Sequence, residues 1–129
     1  MSCLKKYTIE YPIKSSIKIL YDFISTPESL SQWFSEKVTI KDGLITFKWY
    51  DSELRARLLN KKENEMVRYQ WIDEHEHPAQ FLEIRINVEP ITNDLALIIT
   101  DFCKAEDVEE QKSLWDMSVN NLIKRIGGQ

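Results

Sequence analysis

The amino-acid sequence predicts an α+β domain: an antiparallel sheet of about seven strands, two short helices after the first strand, and one long helix at the C-terminal end. Three observations carry this reading. Several segments alternate apolar and polar residues, and the turns between them run to about four to seven residues, the length that joins antiparallel neighbours. The stretch from Ser15 to Phe34 instead repeats at helical spacing. Residues 107–126 contain no Gly or Pro and carry charges sorted as a helix dipole favours.

Composition bounds the rest. The 129 residues hold 17 Lys and Arg against 21 Asp and Glu, a net charge of −4, and no shift in composition, linker or repeat divides them, so one domain spans 1–129. With 43% apolar and 29% charged residues, the chain lies far from disordered or collagen-like compositions. A chain of this length can bury roughly two thirds of its unfolded surface, so its core needs neither a disulfide nor a metal. Apolar runs are only a few residues long, short of the roughly 20 that membrane insertion needs. The first ten residues lack the apolar region and cleavage site of a secretory signal, which predicts a cytoplasmic protein with Cys3 and Cys103 reduced. A pI near 5.2, with both signs interspersed along the chain, gives no footprint for nucleic acid.

The elements follow in order. Tyr7, Ile9 and Tyr11 alternate with Lys6, Thr8 and Glu10 in a half-buried strand from Leu4 to Tyr11, closed by Pro12. Ser15 or Ser16 then caps a helix in which Ile17, Leu20 and Ile24 recur, with Phe23 beside them. Thr26 caps a second short helix with Pro27 in its first turn, carrying Leu30, Trp33 and Phe34. Residues 37–40 and 44–50 flank a Lys41-Asp42-Gly43 turn, with Ile45, Phe47 and Trp49 on one face. Leu54, Ala56 and Leu58 oppose Glu53, Arg55 and Arg57, and after a polar turn from Asn60 to Glu65, Val67, Tyr69 and Trp71 oppose Arg68 and Gln70. Leu82, Ile84, Ile86 and Val88 oppose Glu83, Arg85 and Asn87. The last strand, 95–102, is apolar on both faces, so alternation leaves its orientation open. In the final helix Val108, Trp115, Val119, Leu122 and Ile126 share one stripe, and Gly127 stops it.

This order, together with Thr26-Pro27-Glu28 followed by Trp33-Phe34, Phe47-Lys48-Trp49, Val67-Arg68-Tyr69-Gln70-Trp71 and Trp115, resembles the helix-grip fold of the START-like superfamily, also called the Bet v 1-like or SRPBCC group. Within it the chain is most similar to the bacterial branch that looks like the Hsp90-activator C-terminal domain. The resemblance implies a curved sheet wrapped around the terminal helix, with an apolar ligand cavity between them. It does not extend to the glycine-rich loop of plant pathogenesis-related members, nor to the separate N-terminal domain of the eukaryotic Hsp90 activators.

Three kinds of chemistry are weighed against the residues. Asp73-Glu74-His75-Glu76-His77 puts two His at i and i+2, on one side of an extended strand, as in a metal site. They are the chain's only His and fall where a hairpin turn is required, so no metal and no cofactor is expected. Neither Cys3 nor Cys103 has a His in a recognisable pattern, so no catalytic residue is assigned. The aromatic set is more informative. Trp33, Phe34, Phe47, Trp49, Tyr69, Trp71 and Trp115, joined on the same inward faces by Leu58, Ile84, Val119 and Leu122, either line a cavity or fill a core. If Leu97 and Ile99 face inward so does Asp101, which would then need a partner or a ligand donor; at a strand end it would instead meet water. Trp115 is expected to meet Phe47, Trp49 and Trp71.

The leading reading is a binding protein for an apolar or amphipathic small molecule. The alternatives are a co-chaperone-type module that docks a chaperone through its outer surface, and a cavity enzyme, since START-like relatives include cyclases. Charged residues on the outer sheet face, Arg55, Arg57, Arg68, Glu83 and Arg85, predict a monomer or weak dimer.

Overall fold

Seven strands form one antiparallel sheet in the order β1-β7-β6-β5-β4-β3-β2 in the computed structural model, which describes residues 4–72 and 81–127. The chain lays down β1 (Leu4–Ile13), α1 (Ile17–Ile24) and α2 (Pro27–Leu30). A meander follows: β2 (Lys37–Lys41), β3 (Leu44–Trp49), β4 (Ser52–Lys62), β5 (Met66–Ile72), β6 (Phe81–Val88) and β7 (Leu95–Lys104). One 3₁₀ turn then leads into α3 (Val108–Arg125).

The meander lets each strand pair with its successor, and β1 closes the sheet along β7 over ten residues, from Leu4 opposite Lys104 to Ile13 opposite Leu95. Pro12 does not end β1 as the sequence suggested. It pairs with Ala96 inside the strand, and an edge strand tolerates the missing donor because one side of its ladder is open. Asp42 and Gly43 alone form the β2–β3 turn, since Lys41 already pairs with Leu44. Their φ values of 52° and 79° are those of a two-residue hairpin whose twist matches its strands. β4 runs on through the expected polar turn to Lys62, past a shift of register between Leu58 and Asn60. That bulge changes which face the later residues present.

The two short helices begin as the sequence indicates. The Ser16 side chain accepts from the Ile19 amide, and Thr26 and Ser29 cap each other reciprocally. α2 is shorter than expected, however: it ends at Leu30, and Trp33 and Phe34 lie in the turn beyond it.

β7 presents Leu95, Leu97, Ile99 and Asp101 to the interior, all buried. The face is set by its neighbours, because Ile84 stands opposite Ile99 and Ile86 opposite Leu97. α3 packs against β1 and β7 and buries Val108, Trp115, Val119 and Leu122. The hydroxyls of Tyr21 on α1 and Tyr69 on β5 are buried with no hydrogen-bond partner among the described residues. Gly127, at φ 73°, ends the terminal helix. No helix among the described residues is long and apolar enough to cross a membrane.

On the outer face of the sheet, Glu83 is not a solvated charge. It is buried and lies between Arg68 on the neighbouring strand and Arg85 on its own, bonded to both guanidinium groups. Burial by itself would push its carboxyl up, but the hydrogen bonds from Arg85 and Arg68 outweigh that and hold it below the usual range.

Candidate functional site

The turn after α2 builds the site. Backbone amides of Trp33, Phe34 and Ser35 all converge on the Leu30 carbonyl, at 3.2, 2.7 and 3.2 Å, and this tight winding turns two adjacent aromatic rings inward. The Trp33 indole N–H donates to the Phe23 carbonyl at 2.8 Å. That of Trp49, from the end of β3, donates to the Phe34 carbonyl at 2.9 Å. Backbone bonds thus fix the orientation of both indoles, and little entropy remains to be lost when something packs on them.

Phe34 is the hub. Its ring stacks on Trp115 at 5.0 Å and 19°, and meets Phe47 and Trp49 edge-on, each at 5.3 Å. Trp33 also lies 6.4 Å from Trp115. The expectation that Trp115 meets Phe47, Trp49 and Trp71 is therefore corrected: its ring neighbours are Phe34 and Trp33. The cause is the shorter α2, which leaves Trp33 and Phe34 free to enter between helix and sheet.

A polar chain runs beneath this cluster. The Trp115 indole donates to the Tyr7 hydroxyl at 3.0 Å, and that hydroxyl donates to Asp101 Oδ2 at 3.2 Å. Asp101 Oδ1 accepts from the Trp71 indole at 2.9 Å and from the Phe102 amide at 2.8 Å. Of the two alternatives open for Asp101, the inward one is observed, with its partner groups in place and 6% of the residue exposed. All its bonded partners are neutral, so burial dominates and pushes its pKa up to about 6, against the lowering effect of the hydrogen bonds from Trp71, Phe102 and Tyr7.

Between the 31–36 turn, the β3–β4 connection and α3 lies a cleft of about 730 Å³. Trp33, Phe34, Trp49 and Trp115 form its floor. Leu54, Leu114 and Met117 form an apolar lip, at 50%, 49% and 65% exposure. Glu36, Asp51 and Arg125 are the charged groups at its margin.

The other residues singled out by the sequence lie elsewhere. Phe47, Tyr69, Ile84, Val119 and Leu122 sit in the closed core at no more than 1% exposure, so no water-sized space adjoins them. Trp71 is half-buried and holds Asp101. Leu58 shares the inner face opposite Tyr69 but is 48% exposed and not part of the cleft. Sequence reasoning missed Leu114 and Met117, whose signal is apolar character off the buried stripe of α3.

Burial, together with the carboxylates of Asp101 and Asp107, pushes the Cys103 thiol up, away from the reactive thiolate. Among the described residues no group of three His, Cys, Asp or Glu is placed to hold a metal ion. The 73–77 segment with both His residues, and Cys3, lie outside the described residues.

Comparison with known proteins agrees with this architecture. BfR322 from Bacteroides fragilis is 33% identical over all of this chain and 94% of its own, with a TM-score of 0.61. Aha1 from Colwellia psychrerythraea, described as a dimer, is 16% identical, covers 95% of this chain and 96% of its own, and has a TM-score of 0.73. CalU16 from Micromonospora echinospora is 17% identical, with 98% and 83% covered and a TM-score of 0.67. Likenesses at this lower identity show the fold alone. No curated protein matches the chain. The family profile described as the START-like superfamily domain matches residues 1–128, and with this match the chain belongs to the START-like superfamily.

Proposed function

We propose that the protein binds an apolar or amphipathic small molecule in the cleft over Trp33, Phe34, Trp49 and Trp115, and not deeper between sheet and helix. The observation that carries this reading is the pairing of a hydrogen-bond-fixed aromatic floor with an exposed apolar lip around about 730 Å³. Ligand sites have this size and lining, with a few polar groups at the margin to orient the ligand. The closed core supports the surface location, because a ligand beneath α3 would have to displace side chains that are already close-packed. Membership of a superfamily whose fold commonly encloses small hydrophobic ligands agrees with it.

The test is a thermal-shift and tryptophan-fluorescence titration with straight-chain fatty acids and fused-ring aromatic carboxylates. At a hundredfold excess over Kd a bound compound stabilises by about 2.7 kcal/mol. Leu54→Arg and Met117→Arg alter exposed positions, so they should leave the unliganded Tm unchanged and weaken binding at least tenfold. A panel in which nothing binds, or lip variants that bind as well as the parent, would overturn the proposal.

A further inference from the structure

The two signs of charge, interspersed along the sequence, are sorted by the fold. Strand alternation and register put Lys37, Lys41, Lys48, Arg55, Arg57, Lys62, Arg68 and Arg85 on the sheet face turned away from α3. Only Glu53 and Glu83 accompany them there on β2–β6. On β2–β6 this face carries +6 in a chain of −4, and the other described residues together carry −7. Glu83 is already engaged by Arg68 and Arg85, and among the described residues these are the ion pairs of the molecule. The other six cations are exposed.

We propose that this outer sheet face docks on an anionic membrane surface. Its shape and chemistry select that occupant. The cations form a two-dimensional array over five strands, roughly 20 Å across at about 4.8 Å per strand, which suits a plane of phosphates. Reading a duplex groove needs a protruding helix or ribbon, and the face is a broad sheet. Single-stranded nucleic acid is held by exposed stacking aromatics between cations. The rings present here are occupied: Phe81 lies under the Arg68 guanidinium at 4.3 Å and packs edge-on against Phe102 at 5.3 Å. The negative remainder does not cancel the attraction, since screening over about 8–10 Å leaves the near face to dominate, and it turns the molecule basic face down. Peripheral binding of this kind needs no inserted segment, and it leaves the cleft, on the opposite side of the sheet, open.

Co-sedimentation tests the proposal, using vesicles of phosphatidylcholine with and without about 30% phosphatidylglycerol at about 20 mM and 300 mM NaCl. Binding is expected to the anionic vesicles only and to fall sharply at the higher salt. Each cation removed should lower partitioning about fivefold, so Arg55→Glu and Arg57→Glu should each weaken it by at least that, with unchanged far-UV circular dichroism. Lys18→Glu, exposed on α1 away from this face, should have little effect. Failure to bind anionic vesicles at low salt, or equal losses for Lys18→Glu and Arg57→Glu, would overturn the proposal. So would tighter binding to a single-stranded oligonucleotide at matched phosphate concentration, which would assign the face to nucleic acid, or a doubled mass at low salt without vesicles, which would assign it to a second copy.

Discussion

Asp101 concentrates the energetics of this fold in one carboxylate. It accepts three hydrogen bonds, from Trp71, Phe102 and Tyr7, yet none of these partners is charged. Its pKa of about 6 in the folded state lies above the roughly 3.9 of an unfolded Asp. A raised acid binds its proton more tightly when folded, so the stability it contributes is fully present below about pH 4 and is lost as pH rises through about 6. The span corresponds to about 3 kcal/mol. Asp101→Asn keeps an oxygen for Trp71 and the Phe102 amide but cannot ionise. Urea unfolding of both proteins from pH 4 to 7 should therefore show the parent losing ground to the variant by about that amount, whereas parallel curves would mean that Asp101 does not titrate in this range. The residue type and position were readable from the sequence, but the orientation was not. β7 is apolar on both faces, so alternation leaves its orientation open, and the pairing of Ile99 with Ile84 decides which way Asp101 points.

α3 was the element most completely specified by sequence: its stripe, its charged ends and its stop at Gly127 are all observed. What the stripe touches was less readable, because α2 is a single turn and periodicity cannot tell where so short a helix ends. Helical spacing places the two aromatic residues that follow in the helix, whereas they fill the space beside Trp115. The same limit explains why the expected lining divides between core and cleft, since alternation reports the inward face but not how far neighbouring side chains close over it. Trp115 is 4% exposed while also flooring the cleft, and it ties α3 to the sheet through both the Phe34 stack and the Tyr7 hydrogen bond. Trp115→Ala should cost about 3–5 kcal/mol, as for a large core truncation. Trp115→Phe retains a ring against Phe34 but loses the donor to Tyr7 and part of the buried indole volume, and should cost less, about 1–3 kcal/mol. Chemical unfolding separates the two, and an alanine variant as stable as the parent would show that this anchor carries no weight.

Across the whole molecule, the strongest asymmetry is electrostatic, and it is hidden from composition. A net charge of −4 with interspersed signs reads as an even surface, because the eye follows the chain while the period of two places alternate residues on opposite faces. After the Leu58/Asn60 bulge the parity changes, so Lys62 joins the basic face while Lys61 reaches the Ser25 carbonyl on the inner side. Six exposed cations crowded on one face repel one another, and the ion pairs that offset them both depend on Glu83, which is buried and so weakly screened. Added salt should therefore relieve more repulsion than it removes attraction. Raising NaCl from about 20 to 300 mM is expected to increase the urea midpoint of the parent, opposite to a protein held by surface salt bridges. Arg57 stands two residues from Arg55 on the same face, roughly 7 Å away. Arg57→Glu should then stabilise by a few tenths to about 1 kcal/mol at low salt, with the gain vanishing at high salt. The same substitution weakens the proposed membrane contact, so its two effects have opposite signs. A parent destabilised by salt, or a variant no more stable than the parent at low salt, would show that the cations do not strain the fold.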